Sequence, residues 1–220
     1  METLWNVIAT YYPRFISGFL VTLRLVGVSF VVAMALGLVI AALRVQPVRW
    51  LRALGLVFVE AFRNVPLLVL LFIMFAGLRR AGVGIERFTA ASAALGLYTS
   101  AYVAEAIRSG VFAVGRGQVE AGLALGYTYP KVLRRIVLPQ AVRTVIPPLG
   151  SITIAMIKNS AICGVAFNLV KDVMFQARYV NSRTGATNEA FFWAAVGYLI
   201  LTITATVVVR KLETRLAVRR

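Results

Sequence analysis

Apolar residues gather into five long runs along the chain, at about 18–43, 53–78, 88–111, 140–157 and 189–209. Each is close to the roughly 20 residues an α-helix needs to cross a bilayer core of about 30 Å. The pattern predicts an all-α integral membrane protein with about five transmembrane helices, forming one domain over residues 1–220. Met1 to Ser17 carries Trp5, Tyr11, Tyr12 and Pro13 and reads as an aromatic interfacial segment leading into the first span. Arg24 lies near one end of that span, where its stem can reach the headgroups. The second run is interrupted by Glu60, Arg63, Asn64 and Pro66, and the fourth by Pro147, Pro148 and Gly150. Lys158 to Asn188 is a longer mixed connection that contains Asp172.

One stretch breaks the apolar rhythm without being a simple connector. Gln118 to Pro139, QVEAGLALGYTYPKVLRRIVLP, is too polar to span. Its alternation of apolar positions with Lys131, Arg134 and Arg135, and its Gly126, predict a short helix, a glycine-permitted bend and a second short helix. Between membrane helices such a segment lies on the membrane face and offers a compact knob to a soluble partner.

Composition supports the membrane reading. Hydrophobic residues make up 60% of the chain and the mean hydropathy is +0.83, above what a soluble domain carries. The formal charge of +16 sits beside apolar runs, so contact with membrane lipid explains it and nucleic acid does not. With the N-terminus outside, Arg44, Arg49, Arg52, Arg108, Arg116, Lys131, Arg134, Arg135, Arg210, Lys211, Arg215, Arg219 and Arg220 are cytoplasmic. Arg14, Arg79, Arg80, Arg87, Lys158, Lys171, Arg178 and Arg183 are then external, a bias of 13 against 8. The bias favours a cytoplasmic knob and C-terminus. Glu2 and the lack of an early basic residue argue for a retained first helix over a signal peptide.

Catalytic chemistry has little to work with. There is no histidine, the single cysteine is Cys163, and no phosphate-binding loop exists, since Gly115-Arg116-Gly117 lacks the lysine. Neither a metal site nor a bound cofactor is expected, and nucleotide chemistry must lie on other chains.

The spacing of Glu120, Ala121, Gly122 and Gly126 before Ile136, Leu138 and Pro139 resembles the coupling loop of ABC importer permeases. Phe62-Arg63-Asn64-Val65-Pro66-Leu67-Leu68 is similar to an element of the polar amino-acid uptake branch of that family, as is Ala101-Tyr102-x-x-Glu105-x-x-Arg108. Gly117-Gln118-x-Glu120-Ala121, Leu138-Pro139-Gln140-Ala141 and Lys158-Asn159-Ser160 continue the likeness over about residues 18–210. The resemblance implies a type I permease fold, docking of ABC ATPase subunits at the loop, a second permease subunit and an extracytoplasmic substrate-binding protein. It also implies a bacterial cytoplasmic-membrane location and an amino-acid cargo, with ATP bound by the partners. A secondary transporter or channel is the alternative; it leaves the loop without a role, and no inverted repeat is visible.

Two positions depart from the family pattern. Gly122 stands where alanine is usual, which should loosen the helix by about 1 kcal/mol. Asn159 stands where aspartate is usual, on the implied substrate path with Arg63, Asn64, Tyr98, Lys158 and Ser160. Either Lys158 snorkels and Asn159 caps a helix end, or the missing carboxylate favours an acidic amino acid or its amide. Arg63 is either a carboxylate ligand or a membrane-face residue. Glu105 and Arg108, three apart, are expected to pair on one helix face.

Overall fold

The computed structural model describes residues 4–166 and 168–216, and among these every regular element is a helix. Helix α1 (Leu4–Val45) is 42 residues long, about 63 Å at 1.5 Å per residue and about twice the thickness of a bilayer core. The expected interfacial segment is therefore not separate from the first span. Tyr11, Phe15 and Phe19 of α1 pack with Val173, Ala177 and Val180, and the chain stays helical through Pro13. Met1 and Glu2 lie outside the described residues, as do Arg219 and Arg220.

The second run is two helices rather than one. Helix α2 (Arg49–Arg63) and helix α3 (Leu67–Arg80) meet at 98°. Asn64 closes α2 by donating its side-chain amide to the Glu60 carbonyl at 2.8 Å. Pro66 supplies no N–H and disfavours helical geometry at Val65, so the helix cannot continue.

Helix α4 (Arg87–Phe112) matches the third expected run. It is long enough to span but less apolar than the other candidates, because the rest of the protein surrounds it. Ala90, Ala91, Ala94, Leu95, Ser100, Ala101 and Ala104 are fully buried there, and Ser92 and Thr99 nearly so. A helix enclosed by protein has no need of a lipid-facing surface.

Helix α5 (Arg116–Ala124) begins the knob. The second short helix expected after the bend does not stand alone. It is the first part of α6 (Tyr129–Val165), one continuous helix of 37 residues that takes in Pro139, Pro147, Pro148 and Lys158 to Ser160. A π-turn at Leu133–Val137 sits directly before Pro139, whose ring crowds the preceding turn. The mixed connection after Ile157 thus contains the end of α6 and a further helix, α7 (Val173–Thr184). Helix α8 (Thr187–Leu216) contains the last apolar run.

By length and apolarity α1, α6 and α8 can each cross a membrane, and α2 with α3 forms a bent fourth candidate. Contacts between the helices give the path of the chain. The Ser29 hydroxyl donates to the Ser92 carbonyl at 3.1 Å, and Arg44 pairs with Glu105, so α1 and α4 run parallel. The α2–α3 pair returns alongside both, with Val59 in one cluster with Ala41 and Ala104 and Leu71 in another with Leu25 and Leu95. Gly110 lies against Val145 and Gly150 against Val209, which makes α6 antiparallel to both α4 and α8. The chain therefore passes back and forth, with α1, α4 and α8 ending on the side that bears the knob.

Candidate functional site

The knob is built on a tight glycine turn. Helix α5 closes with the Gly126 amide donating to the Leu123 carbonyl at 2.9 Å and the Tyr127 amide to the Gly122 carbonyl at 3.1 Å. Gly126 sits at φ +81°, a left-handed conformation that glycine adopts without penalty. Gly122 is buried, and a Cβ placed there would come within 2.9 Å of Val132 Cγ2 and Ile136 Cδ1. Its role is thus close approach of α5 to the start of α6. Glu120, Ala121, Gly126 and Pro139 are exposed, and Ile136 is half-buried. Leu125 at the tip is 78% exposed, with Tyr129 at 62% and Leu123 and Leu138 each at 44%. A folded hairpin that presents leucines and a tyrosine beyond the membrane helices is a surface suited to a partner. Between the hairpin and the ends of α1 and α4 lies a cleft of about 400 Å³, lined by Val45, Phe112, Glu120, Tyr129 and Leu133.

The residues of the implied path fall into two groups. Arg63 and Asn64 form the elbow between α2 and α3, and Tyr98 is linked to it through Tyr102. The Arg63 guanidinium stands 5.3 Å from the centre of the Tyr102 ring, whose hydroxyl donates to the Arg63 carbonyl at 3.5 Å. Tyr98 and Tyr102 share a hydroxyl contact of 3.1 Å, and Asn64 donates to Glu60 Oε2 at 2.8 Å. Lys158, Asn159 and Ser160 instead lie inside α6, which continues to Val165, so Asn159 caps no helix end. Lys158 is exposed, Asn159 is half-buried, and Ser160 is buried, donating to the Ile157 carbonyl at 2.7 Å. No hydrogen bond or ion pair joins these three to the elbow among the described residues.

Two polar assemblies escape a reading by spacing alone. Glu105 pairs with Arg108, as expected, at 2.5 Å, but it also binds Arg44 of α1. At the opposite end Asp172 is fully buried. It accepts from the Phe175 amide at 2.8 Å, capping α7, and from the Tyr198 hydroxyl at 3.0 Å. Thr22 of α1 accepts from the Val173 amide at 3.3 Å, so this knot ties α1, α7 and α8 together. An aspartate directly before Val173, Met174 and Phe175 was the available signal for a helix start.

Residues 33–218 match the model of the binding-protein-dependent transport system inner membrane component. The chain belongs to this family. It is 38% identical to the probable glutamine ABC transporter permease protein GlnM of Bacillus subtilis, over 96% of this chain and 97% of that one. The glutamate transport system permease protein GluC of Corynebacterium efficiens is 37% identical with 100% of both chains covered. A solved amino acid ABC transporter crystallised with histidines contains a chain 35% identical to this permease, with a TM-score of 0.88, covering 94% of this chain and 96% of that one. The expected all-helical permease fold is therefore the fold of this family member.

Proposed function

We propose that this chain is the membrane-spanning half of an ATP-driven importer for polar amino acids, with glutamate or glutamine as cargo. The observation that carries the reading is the hairpin of α5 and the first turns of α6, folded beyond the membrane helices with Leu125 and Tyr129 exposed. ABC ATPase subunits dock on Gln118 to Leu138, and their closure on ATP moves the hairpin. Because α6 is unbroken from Tyr129 to Val165, that motion enters the membrane region directly. The chain itself hydrolyses nothing. A second permease subunit, identical or related, encloses the path, and an extracytoplasmic binding protein delivers the ligand at the α7 end. The knob faces the cytoplasm of a bacterial cell, in keeping with the arginines gathered at that end. ATP can shift the path between inward and outward access only by the difference in its binding energy between the two states.

Relatives named for glutamine and glutamate at 38% and 37% identity support the cargo. So does the chemistry of the path, where Arg63 and Lys158 are exposed and Asn159 adds no negative charge. The decisive experiment compares Gly126→Asp with Gly126→Ala in vesicles containing the ATPase and binding protein. Open space surrounds the Cβ position of Gly126, so both variants share the same backbone strain and differ mainly in charge and size. The aspartate variant should lose ATPase copurification and ATP-dependent uptake, while the alanine variant retains most of both. Normal copurification and uptake by the aspartate variant would overturn docking at the knob.

A further inference from the structure

A second feature at the knob end has no part in docking as described. Arg44, Arg49, Arg52 and Arg108 converge on a cleft of about 340 Å³, closed by Leu56 and Phe112. Glu105 is the carboxylate that answers them, and it is taken up by Arg44 and Arg108. Arg49 and Arg52 are exposed and have no ion pair among the described residues. Four guanidiniums facing one carboxylate leave a local excess of positive charge. The packing holds it in place, because Gly55 seats α2 so closely that a Cβ there would lie 2.6 Å from Cγ of Arg44.

The surroundings of the cleft say which anion it takes. Trp50, Leu54 and Val57 follow one another at helical spacing on the open face of α2 and are 63%, 56% and 67% exposed. An apolar stripe running away from a cluster of arginines suits a molecule with an anionic head and a hydrocarbon body. Guanidinium groups bind phosphate oxygens through paired N–H donors, which makes arginine the fitting residue for a phosphodiester. Basic pockets between membrane helices take lipid head groups in this manner.

We propose that this cleft is a binding site for the phosphate of an anionic phospholipid, whose acyl chains lie along Trp50, Leu54 and Val57. The lipid completes the charge balance between α1, α2 and α4 and holds α2 against the two longer helices. The inference needs only the membrane placement of the chain and stands apart from the cargo and from the docking at the knob.

Trp50 offers a local probe. In a Trp5→Phe, Trp193→Phe background of the full permease complex, Trp50 is the only tryptophan of this chain; tryptophans of the partner chains are replaced likewise. Its quenching is measured in bilayers containing brominated phosphatidylglycerol or brominated phosphatidylcholine. Quenching by phosphatidylglycerol should saturate at a much lower lipid fraction. Arg49→Gln with Arg52→Gln should reduce that preference by about thirty-fold, equivalent to about 2 kcal/mol at 1.4 kcal/mol per decade and about 1 kcal/mol per arginine. Arg49→Lys with Arg52→Lys should keep a substantial part of it because the positive charge is retained, and an unchanged unfolding midpoint of the glutamine variant shows that it is still folded. Equal quenching by the two lipids in the parent protein would overturn the proposal, and so would a preference unchanged in the glutamine variant. Loss of the preference in 10 mM inorganic phosphate, a concentration of about that order, with no loss in matched chloride would assign the cleft to a soluble phosphate and equally refute a lipid. Loss of ATPase copurification in the glutamine variant with lipid preference intact would make it a protein contact.

Discussion

Single residues set the close contacts on which this permease depends. A Cβ at Gly164 would collide with the carboxylate of Asp172, the residue that caps α7 and accepts from Tyr198. Gly164→Ala should therefore displace a buried charged group and cost about 2 kcal/mol, the range of overpacking a core. Thermal unfolding of the purified protein should show a lower midpoint, while Gly84→Ala, in open space, should not. At Asn159 the expected effect is electrostatic. Asn159→Asp restores a negative charge to α6 beside exposed Lys158. Two unit charges about 4 Å apart interact by about 4 kcal/mol at an effective dielectric near 20, enough to alter cargo preference. Glutamate should compete for uptake in the parent protein and lose ground in Asn159→Asp. Arginine as the best competitor of the parent would defeat the electrostatic account without touching the family assignment.

Elements behave as their neighbours allow. Helix α4 reads as a weak membrane span because small and hydroxylated residues face other helices, and its charged end is fixed by Arg44, Glu105 and Arg108. Glu105→Gln would leave two guanidiniums facing each other, one of them on a side chain only 11% exposed. The expected result is a loss of about 2 kcal/mol, visible as a lower unfolding midpoint that Glu105→Asp partly restores. The pairing of Glu105 with Arg108 was legible because residues three apart share a helix face. Arg44 was not, since its contact spans 61 positions in sequence and arises from the parallel course of α1 and α4. The elbow at Asn64 to Pro66 was legible from its proline, whereas Pro147 and Pro148 gave the same signal and do not break α6. There Val145 and Gly150 pack on neighbouring helices, and tertiary contact outweighs local propensity. Arg63 and Asn64 form the elbow and Tyr98 is linked to it through Tyr102, while Lys158 to Ser160 make no hydrogen bond or ion pair to these residues among those described, a pattern that only packing could reveal.

At the scale of the whole molecule the alternating passes make orientation a single question. Because α1, α4 and α8 end on the knob side, one labelled position there reports on them all. Cysteines introduced as Arg134→Cys and Arg215→Cys should resist an impermeant thiol reagent added outside intact cells, and Thr184→Cys should react. Native Cys163 is fully buried and adds no background. Reaction at Arg134→Cys from outside would reverse the molecule in its membrane. The same architecture has a geometric consequence that lies in the π-turn at Leu133–Val137. A π-turn holds one more residue than the α-helical turn it replaces, and each residue of an α-helix advances the bearing by about 100°. Deleting Arg134 would let α6 close into regular helix with tip and span keeping their mutual bearing, whereas deleting Val142 from the regular helix beyond the π-turn would turn one against the other by about that angle. Leu125 would then point along the wrong compass direction for a partner that the rest of the protein still addresses.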